Sequence, residues 1–328
     1  MEAKISISRE SWPLQGEFRI SRGSRKISEI IVVSISMASS IGRGECFPYA
    51  RYGETMESVE NQIESVIRKI EKTPCRQNLS KLLPPGAARN AIDCALWDLE
   101  AKMAQCRVWE LARLPFPRPL TTVFTLGVDN PSEMGARALE NKSRPYLKLK
   151  MTGDGFDLER VEKIHANAPT AKLVVDANEG WSIDQYVEYA PKFRDLGVEM
   201  IEQPLPAAKD DDLASIDRPI PVCADESCHD TDTLEGLIGK YDMINIKLDK
   251  SGGLTEALRL KEAALHLGFD IMVGCMIGTS LAMAPGLIVG QGASIVDLDG
   301  PLLLQQDREC GLEFNQSTVN IPAAELWG

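Results

Sequence analysis

The period of the apolar positions changes along the chain. Between Ser58 and Lys72, the residues Val59, Ile63, Val66, Ile67 and Ile70 fall on one face of a helix. A second helix follows Pro84-Pro85-Gly86 and runs from Ala87 past Lys102. There Ala91, Ala95, Leu99 and Met103 repeat every four residues, and Ile92 and Leu96 widen the stripe. Ahead of both, Ile30–Ile35 has the β-branched richness of a strand. A strand followed by helices predicts a small α+β domain over residues 1–117. Pro115, Pro117 and Pro119 mark its end by fixing φ and removing backbone donors.

From about Leu120 the pattern alternates between short apolar runs and amphipathic segments such as Phe156–Asn167 and Thr255–Leu267. Strands are predicted near Thr121–Leu126 and at Tyr146–Lys150, Lys172–Asp176, Met200–Glu202, Val222–Asp225, Met243–Lys247, Ile271–Cys275 and Ser294–Asp297. The polar residues that close the last seven stand at 148, 176, 202, 225, 247, 275 and 297, with gaps of 28, 26, 23, 22, 28 and 22. Each gap is one βα unit long. Eight parallel strands close a barrel, which is placed over residues 118–300. An open doubly wound sheet is the structural rival, but no glycine-rich phosphate turn follows the first strand. Residues 301–328 are too few for a domain and are predicted to pack back on the first.

Composition narrows the function classes. The 328 residues are 44% hydrophobic and 26% charged, and the formal net charge is 36 − 48 = −12. This argues against a nucleic-acid binder or a polybasic membrane-surface protein. Residues 1–18 hold no apolar core suited to a secretory signal. The uncharged stretch between Asp270 and Asp297 contains five glycines and Pro285, so it reads as two buried strands around a short helix. Eight cysteines without a CxxC pair suit small buried hydrophobes in a reducing compartment, and the chain is expected in the cytoplasm. Three histidines without ligand spacing make a zinc hydrolase or a histidine triad a poor reading.

The strand ends carry the chemistry. Asp176, Glu202 and Asp225 close three consecutive predicted strands, and strand C-termini converge in a barrel. Three carboxylates together repel one another unless a cation neutralises them, and hard oxygen donors suit Mg²⁺, with Mn²⁺ as substitute. Taken singly, each is also a candidate helix cap. Lys148 and Lys150 lie two apart on Tyr-Leu-Lys-Leu-Lys, hence on one face, where paired ammonium groups are expected to lower each other's pKa. Lys247 ends another strand on the far side of the acids. Lys250 is its rival, but Ser251-Gly252-Gly253 places it in a turn. A metal between opposed lysines suits removal of an α-proton from one face of a carboxylate and return to the other.

The segments Ala88-Arg89-Asn90-Ala91-Ile92-Asp93-Cys94-Ala95-Leu96-Trp97-Asp98-Leu99, Leu147–Lys150, Val175–Asn178, Ile201–Pro204, Ala224–Ser227 and Ile246-Lys247 resemble, in order, the motifs of the mandelate racemase and muconate cycloisomerase group of the enolase superfamily. The resemblance implies an α/β fold: a modified TIM barrel of the (β/α)7β type with an N-terminal α+β capping domain. Lys247, with Cys275 rather than histidine at the next strand end, resembles the muconate-cycloisomerase subgroup. Asp297-Leu298-Asp299-Gly300-Pro301 resembles the Asp-x-Asp motif of its dipeptide epimerases. That resemblance implies a Mg²⁺-dependent isomerase acting on L-Ala-L-Glu and its D-Glu epimer in murein-peptide recycling. Asp176, Glu202 and Asp225 would be the metal ligands. Lys150 and Lys247 would exchange the proton through a metal-stabilised enediolate, and Lys148 would help hold the enolate oxygen. Asp297 and Asp299 would receive the dipeptide ammonium.

Thr125, Cys275 and Met276 resemble substrate-contacting positions, and Arg25, with Arg22 as its rival, is the candidate for the glutamate side chain. Asn178 and Glu226 are expected to support ligands rather than to be ligands. Homo-oligomers are common in the family. Two other readings stand beside this one. The first is a cycloisomerase, o-succinylbenzoate synthase, N-acylamino-acid racemase or an epimerase of other side-chain specificity. The second is a metal-dependent dipeptide-binding protein without chemistry.

Overall fold

The computed structural model describes residues 2–328. It opens with an antiparallel sheet of β1 (Lys4–Ile20), β2 (Gly23–Met37) and β3 (Ser40–Cys46), in the order β1-β2-β3. β2 is the central strand, and its two faces enter different cores. Ile31, Val33 and Ile35 pack with the helices Met56–Lys72 and Ala87–Ala104, whereas Ile30 and Val32 join the core of the barrel. That double burial explains why the run Ile30–Val33 lacks alternation. β1 is not among the strands that the sequence predicts. It alternates half-buried Ile5 and Ile7 with exposed Lys4, Ser6 and Ser8, and its weaker apolar signal reflects one face left to water.

The helix Ala87–Ala104 is buried almost all round because it lies between the sheet and the barrel. On one side a Cβ at Gly42 or Gly44 would stand 2.1 Å from the carbonyl oxygen of Ala95 or Ala91, so only glycine admits β3 this close. On the other side Asn90 Nδ2 donates to Asp249 Oδ1 (2.9 Å). Nearby, Asp93 Oδ2 accepts the Thr255 N–H (2.9 Å), and Trp97 Nε1 donates to Thr255 Oγ1 (2.9 Å). The polar residues of this helix signature therefore fasten the capping domain to the segment after Lys247.

The second part begins with β4 (Leu120–Thr121) and carries eight parallel strands: β5 (Phe124–Leu126), β6 (Tyr146–Lys150), β7 (Lys172–Asp176), β8 (Val198–Glu202), β9 (Val222–Ala224), β10 (Met243–Ile246), β11 (Asp270–Val273) and β12 (Ile295–Val296). They pair in strict sequence order from β5 to β12. The Val123 N–H donates to the Val296 carbonyl (2.8 Å), drawing the last strand to the first. Seven connections join the eight strands, the (β/α)7β pattern. Two of them, after β8 and β9, use 3-10 turns instead of α-helices. The uncharged stretch after Asp270 is β11, the helix Ser280–Val289 and β12.

Inside the barrel, Val123, Val174, Met200, Cys223, Met243, Met272 and Ile295, with Tyr146 against them, form a separate apolar plug. Nearly every strand places one residue there, and the period of two then fixes what lies above it. Within residues 301–328, the Gln305 N–H donates to the Pro13 carbonyl (2.9 Å), and Trp327 Nε1 donates to the Cys94 carbonyl (3.0 Å). A short hairpin of β13 (Phe314–Asn315) and β14 (Thr318–Val319) also pairs with β4. All eight cysteines are free thiols, and no described helix is long and apolar enough to cross a membrane.

Candidate active site

Two residues beyond the plug, the inward positions turn polar. Val123 leads to Thr125, Tyr146 to Lys148, Val174 to Asp176, Met200 to Glu202, Cys223 to Asp225, Met243 to Asn245, Met272 to Gly274 and Ile295 to Asp297. One further step gives Lys150, Lys247 and Asp299. The chain therefore converts an apolar barrel floor into a charged layer by strand alternation alone. Gly274 is needed in that layer, because a Cβ there would stand 2.6 Å from Asn245 Oδ1.

The three strand-end carboxylates are completely or almost completely buried, and each divides its two oxygens in the same way. One oxygen is committed to a fixed donor. Asp176 Oδ1 accepts the Asn178 N–H (2.9 Å), Glu202 Oε1 accepts Asn245 Nδ2 (2.6 Å), and Asp225 Oδ1 accepts Lys250 Nζ (2.6 Å). The other oxygen meets only lysine ammonium groups. Asp176 Oδ2 lies 2.5 Å from Lys150 Nζ and 3.3 Å from Lys148 Nζ. Glu202 Oε2 lies 2.7 Å from Lys148 Nζ without an aligned hydrogen bond, and Asp225 Oδ2 lies 2.6 Å from Lys247 Nζ.

One oxygen from each of three carboxylates, with ammonium groups against it, is the donor set that a small hard cation with open positions takes. The residues fit Mg²⁺ in type and burial. Asp176 Oδ2 and Glu202 Oε2 share Lys148 while Asp225 Oδ2 faces Lys247, and the one trio of described ligand atoms within 4.8 Å of one another is Cys275, Asp297 and Asp299. The thiol of Cys275 is pushed up by burial and by both aspartates, so this trio offers a neutral sulfur and suits a metal poorly.

Charge is concentrated and nearly balanced. Burial works against the ionised Asp176 and Asp225, yet Lys150 and Lys148 hold the first below the usual carboxylate range, and Lys247 and Lys250 hold the second well below it. Glu202 goes the other way, to about 7, through burial and the neighbouring Asp176 charge. The expectation that paired lysines lower each other's pKa is not met at Lys148. Burial depresses it, but Asp297, Glu202 and Asp176 outweigh that and raise it well above the ordinary value. Lys247 is raised for the same reason, chiefly by Asp225.

Above the charged layer lies a cavity of about 410 Å³, within the usual range for small-molecule sites of about 300–1,000 Å³. The barrel contributes Thr125, Lys148, Lys150, Asp225, Lys247, Cys275, Met276, Asp297 and Asp299, and the capping domain contributes Arg25 and Phe47. Asp176 and Glu202 sit beneath the lysines. Asp297 Oδ2 accepts from Lys148 Nζ (2.6 Å), while Asp299 Oδ2 accepts the Thr125 N–H (2.6 Å). Burial and the Asp297 charge push Asp299 to about 7.

The two candidate arginines separate clearly. Arg22 is consumed by the protein: Nη2 donates to Glu226 Oε1 (2.7 Å) and Tyr49 OH (2.9 Å), and Nη1 to the Asn178 carbonyl (2.9 Å) and Glu179 Oε2 (3.2 Å). Arg25 stacks 4.8 Å over the Phe47 ring and forms no ion pair among the described residues.

Three functional positions escape the sequence reading. Lys250 is no turn residue: it is buried, and besides Asp225 Oδ1 its Nζ donates to the carbonyls of Asp225 (2.5 Å) and Asn245 (3.0 Å). Asn245 is a buried strand residue whose inward register, two before Lys247, is its only signal. Gln203 fixes the Asp225 turn, its Oε1 accepting the N–H groups of Asp225 (2.9 Å) and Ser227 (3.1 Å).

Known proteins resemble this chain in sequence and in fold. Residues 2–112 match the family model "Mandelate racemase / muconate lactonizing enzyme, N-terminal domain", and residues 133–309 match "Enolase C-terminal domain-like". The L-Ala-D/L-Glu epimerase of Escherichia coli is 43% identical over 97% of this chain and 99% of its own length. An N-acetyl-D-glutamate racemase of a Pseudoalteromonas species is 41% identical over 91% of this chain and 95% of its own. The crystal structure of an enolase family member from Agrobacterium tumefaciens, described as homologous to dipeptide epimerases and holding sodium and L-Ala-L-Glu, superposes with a TM-score of 0.98 at 47% identity, covering 99% of this chain and all of that one. A dipeptide epimerase from Enterococcus faecalis complexed with Mg and L-Leu-L-Tyr has a TM-score of 0.92 at 27% identity, covering all of this chain and 99% of that one.

Proposed function

The chain belongs to the enolase superfamily, in its mandelate racemase and muconate lactonizing enzyme branch, and from that premise we propose that it is a dipeptide epimerase interconverting L-Ala-L-Glu and L-Ala-D-Glu. One observation carries the reading. Lys150 ends β6 and Lys247 follows β10, four places apart in an eight-strand barrel and hence on opposite walls, each facing the cavity. Two ammonium groups so placed reach opposite faces of one carbon.

In this reading the substrate's free ammonium is received by Asp297 and Asp299, and its glutamate side chain by Arg25. Its C-terminal carboxylate lies over Asp176, Glu202 and Asp225. A Mg²⁺ ion held by Asp176 Oδ2, Glu202 Oε2 and Asp225 Oδ2 would supply Lewis acidity for the charge that builds on that carboxylate. Lys148, already among three acids, donates to the carboxylate oxygen as it gains charge. Once its contact with Asp225 is broken, Lys247 loses the partner that holds its pKa up and moves a proton at the α-carbon. Lys150, released from Asp176, does the same at the opposite face. The capping domain, with Arg25 and Phe47 over the cavity, excludes water. The setting we infer is the cytoplasm, in recycling of cell-wall peptides, with the chain assembled as a homo-oligomer.

Proton NMR of L-Ala-L-Glu with the protein and Mg²⁺ in D₂O tests this. The glutamate α-proton should disappear while resonances of the D-Glu epimer appear. An α-proton that persists would refute it.

A further inference from the structure

Lys250 is a fourth ammonium group in the charged layer, and the proposed chemistry does not use it. Its Nζ is fully engaged by Asp225 Oδ1 (2.6 Å), the Asp225 carbonyl (2.5 Å) and the Asn245 carbonyl (3.0 Å), all buried. Lys247, by contrast, holds Asp225 Oδ2 alone (2.6 Å) and borders the cavity. One lysine is therefore anchored by backbone and the other is free to leave. Asn245 repeats the device on the next acid: its Nδ2 occupies Glu202 Oε1 (2.6 Å), leaving Oε2 toward Lys148.

We propose that Lys250 and Asn245 are positioning residues that confine Asp225 and Glu202 to one ligand oxygen each, and so set this site for a small six-coordinate divalent cation over a larger one. The inference rests on the assignment of Asp176, Glu202 and Asp225 as metal ligands. Mg²⁺ demands near-octahedral geometry and takes carboxylates through single oxygens, whereas Ca²⁺ takes six to eight oxygens and accepts both oxygens of one carboxylate. With Lys250 on Oδ1, Asp225 cannot turn both oxygens to the ion without losing the hydrogen bond from Lys250 Nζ, which two backbone carbonyls hold in place. Its backbone anchors make this a fixed restraint rather than a mobile counter-ion.

The test has two arms, both read without any dipeptide. In crystals of the wild-type protein soaked with Mn²⁺, the ion should meet one oxygen of Asp225, with Lys250 Nζ still within hydrogen-bond distance of the other. An Asp225 that binds through both oxygens, or a displaced Lys250, overturns the inference while leaving the ligand assignment intact. An ion at Cys275, Asp297 and Asp299 overturns both.

In the second arm, titration calorimetry compares Mg²⁺ and Ca²⁺ binding to the wild type and to Lys250→Met. Outer contacts of metal ligands typically carry about 10- to 100-fold in affinity. The ratio of the Ca²⁺ to the Mg²⁺ dissociation constant should fall about tenfold in the variant, because the charge change acts equally on both ions and cancels. Equal changes for both ions mean a purely structural lysine and refute the inference. If Lys250→Met does not fold, the Mn²⁺ crystals decide alone.

Discussion

Arg25 should decide substrate side-chain preference, and Arg22 should not. Arg25 is half-buried over Phe47 at the cavity wall, with no carboxylate in ion-pair contact. Burial pulls its pKa down, yet an arginine stays charged. A cation left without a partner in a cavity is poised for an anionic side chain. A hydrogen bond to a charged group contributes about 1.5–3 kcal/mol, and partial exposure places this one in the lower half. Arg25→Met should therefore reduce kcat/KM for L-Ala-L-Glu by about 10- to 40-fold. L-Ala-L-Met, which has no side-chain charge, should be turned over as well as by the wild type or better. Arg22→Met removes four bonds that brace Tyr49, Asn178, Glu179 and Glu226, so it should slow both dipeptides alike. The assay is initial-rate polarimetry or NMR on both substrates. Equal losses on the two dipeptides with Arg25→Met, or none on L-Ala-L-Glu, would refute the assignment.

Two further outcomes follow from the same geometry. Asp299→Asn removes one of the two carboxylates that would meet the substrate ammonium, and losing a buried charge partner costs at least about 2 kcal/mol, roughly 30-fold or more in kcat/KM on L-Ala-L-Glu. Any activity on N-acetyl-glutamate, which carries no ammonium, should survive, and a parallel loss would contradict this role for the pair. Glu202 and Asp299 both stand near 7 without metal, above their ordinary 4.5 and 3.8. The folded chain thus keeps protons that the unfolded chain has released, so these groups reduce metal-free stability as pH rises from about 4 to 7. Because a ligand must be deprotonated, Mg²⁺ affinity should fall about tenfold per pH unit below 7, read by calorimetry. A flat response between pH 5.5 and 7.5 would contradict a protonated Glu202.

What the sequence discloses here depends on how a residue announces itself. Asp176, Glu202 and Lys150 stand at the ends of apolar runs, and a charge closing a buried strand is visible without coordinates. β6 and β7 have the predicted bounds for that reason. Asn245 makes no such signal, because an amide inside Met-Ile-Asn-Ile reads as one polar lapse in a buried strand. Lys250 misleads in the opposite direction. The Ser-Gly-Gly that follows marks a real turn, yet the lysine folds back from it into the barrel because Asp225 and two carbonyls lie there. The choice between Arg22 and Arg25 depends on Glu226 and Asn178, about 155 to 205 residues away in the chain, so local pattern holds no trace of it. The long β1 is concealed by its polar outer face.

The central claim is that two lysines serve opposite faces of one carbon, and single variants in D₂O test it most directly. Lys150→Ala and Lys247→Ala are each incubated with Mg²⁺ and, separately, with L-Ala-L-Glu and L-Ala-D-Glu, and the α-proton is followed by NMR. Each variant should exchange the α-proton of one epimer only, the two variants should be complementary, and neither should convert one epimer into the other. If both variants lose exchange with both epimers, or if either still epimerises at the wild-type rate, the two-face account is contradicted.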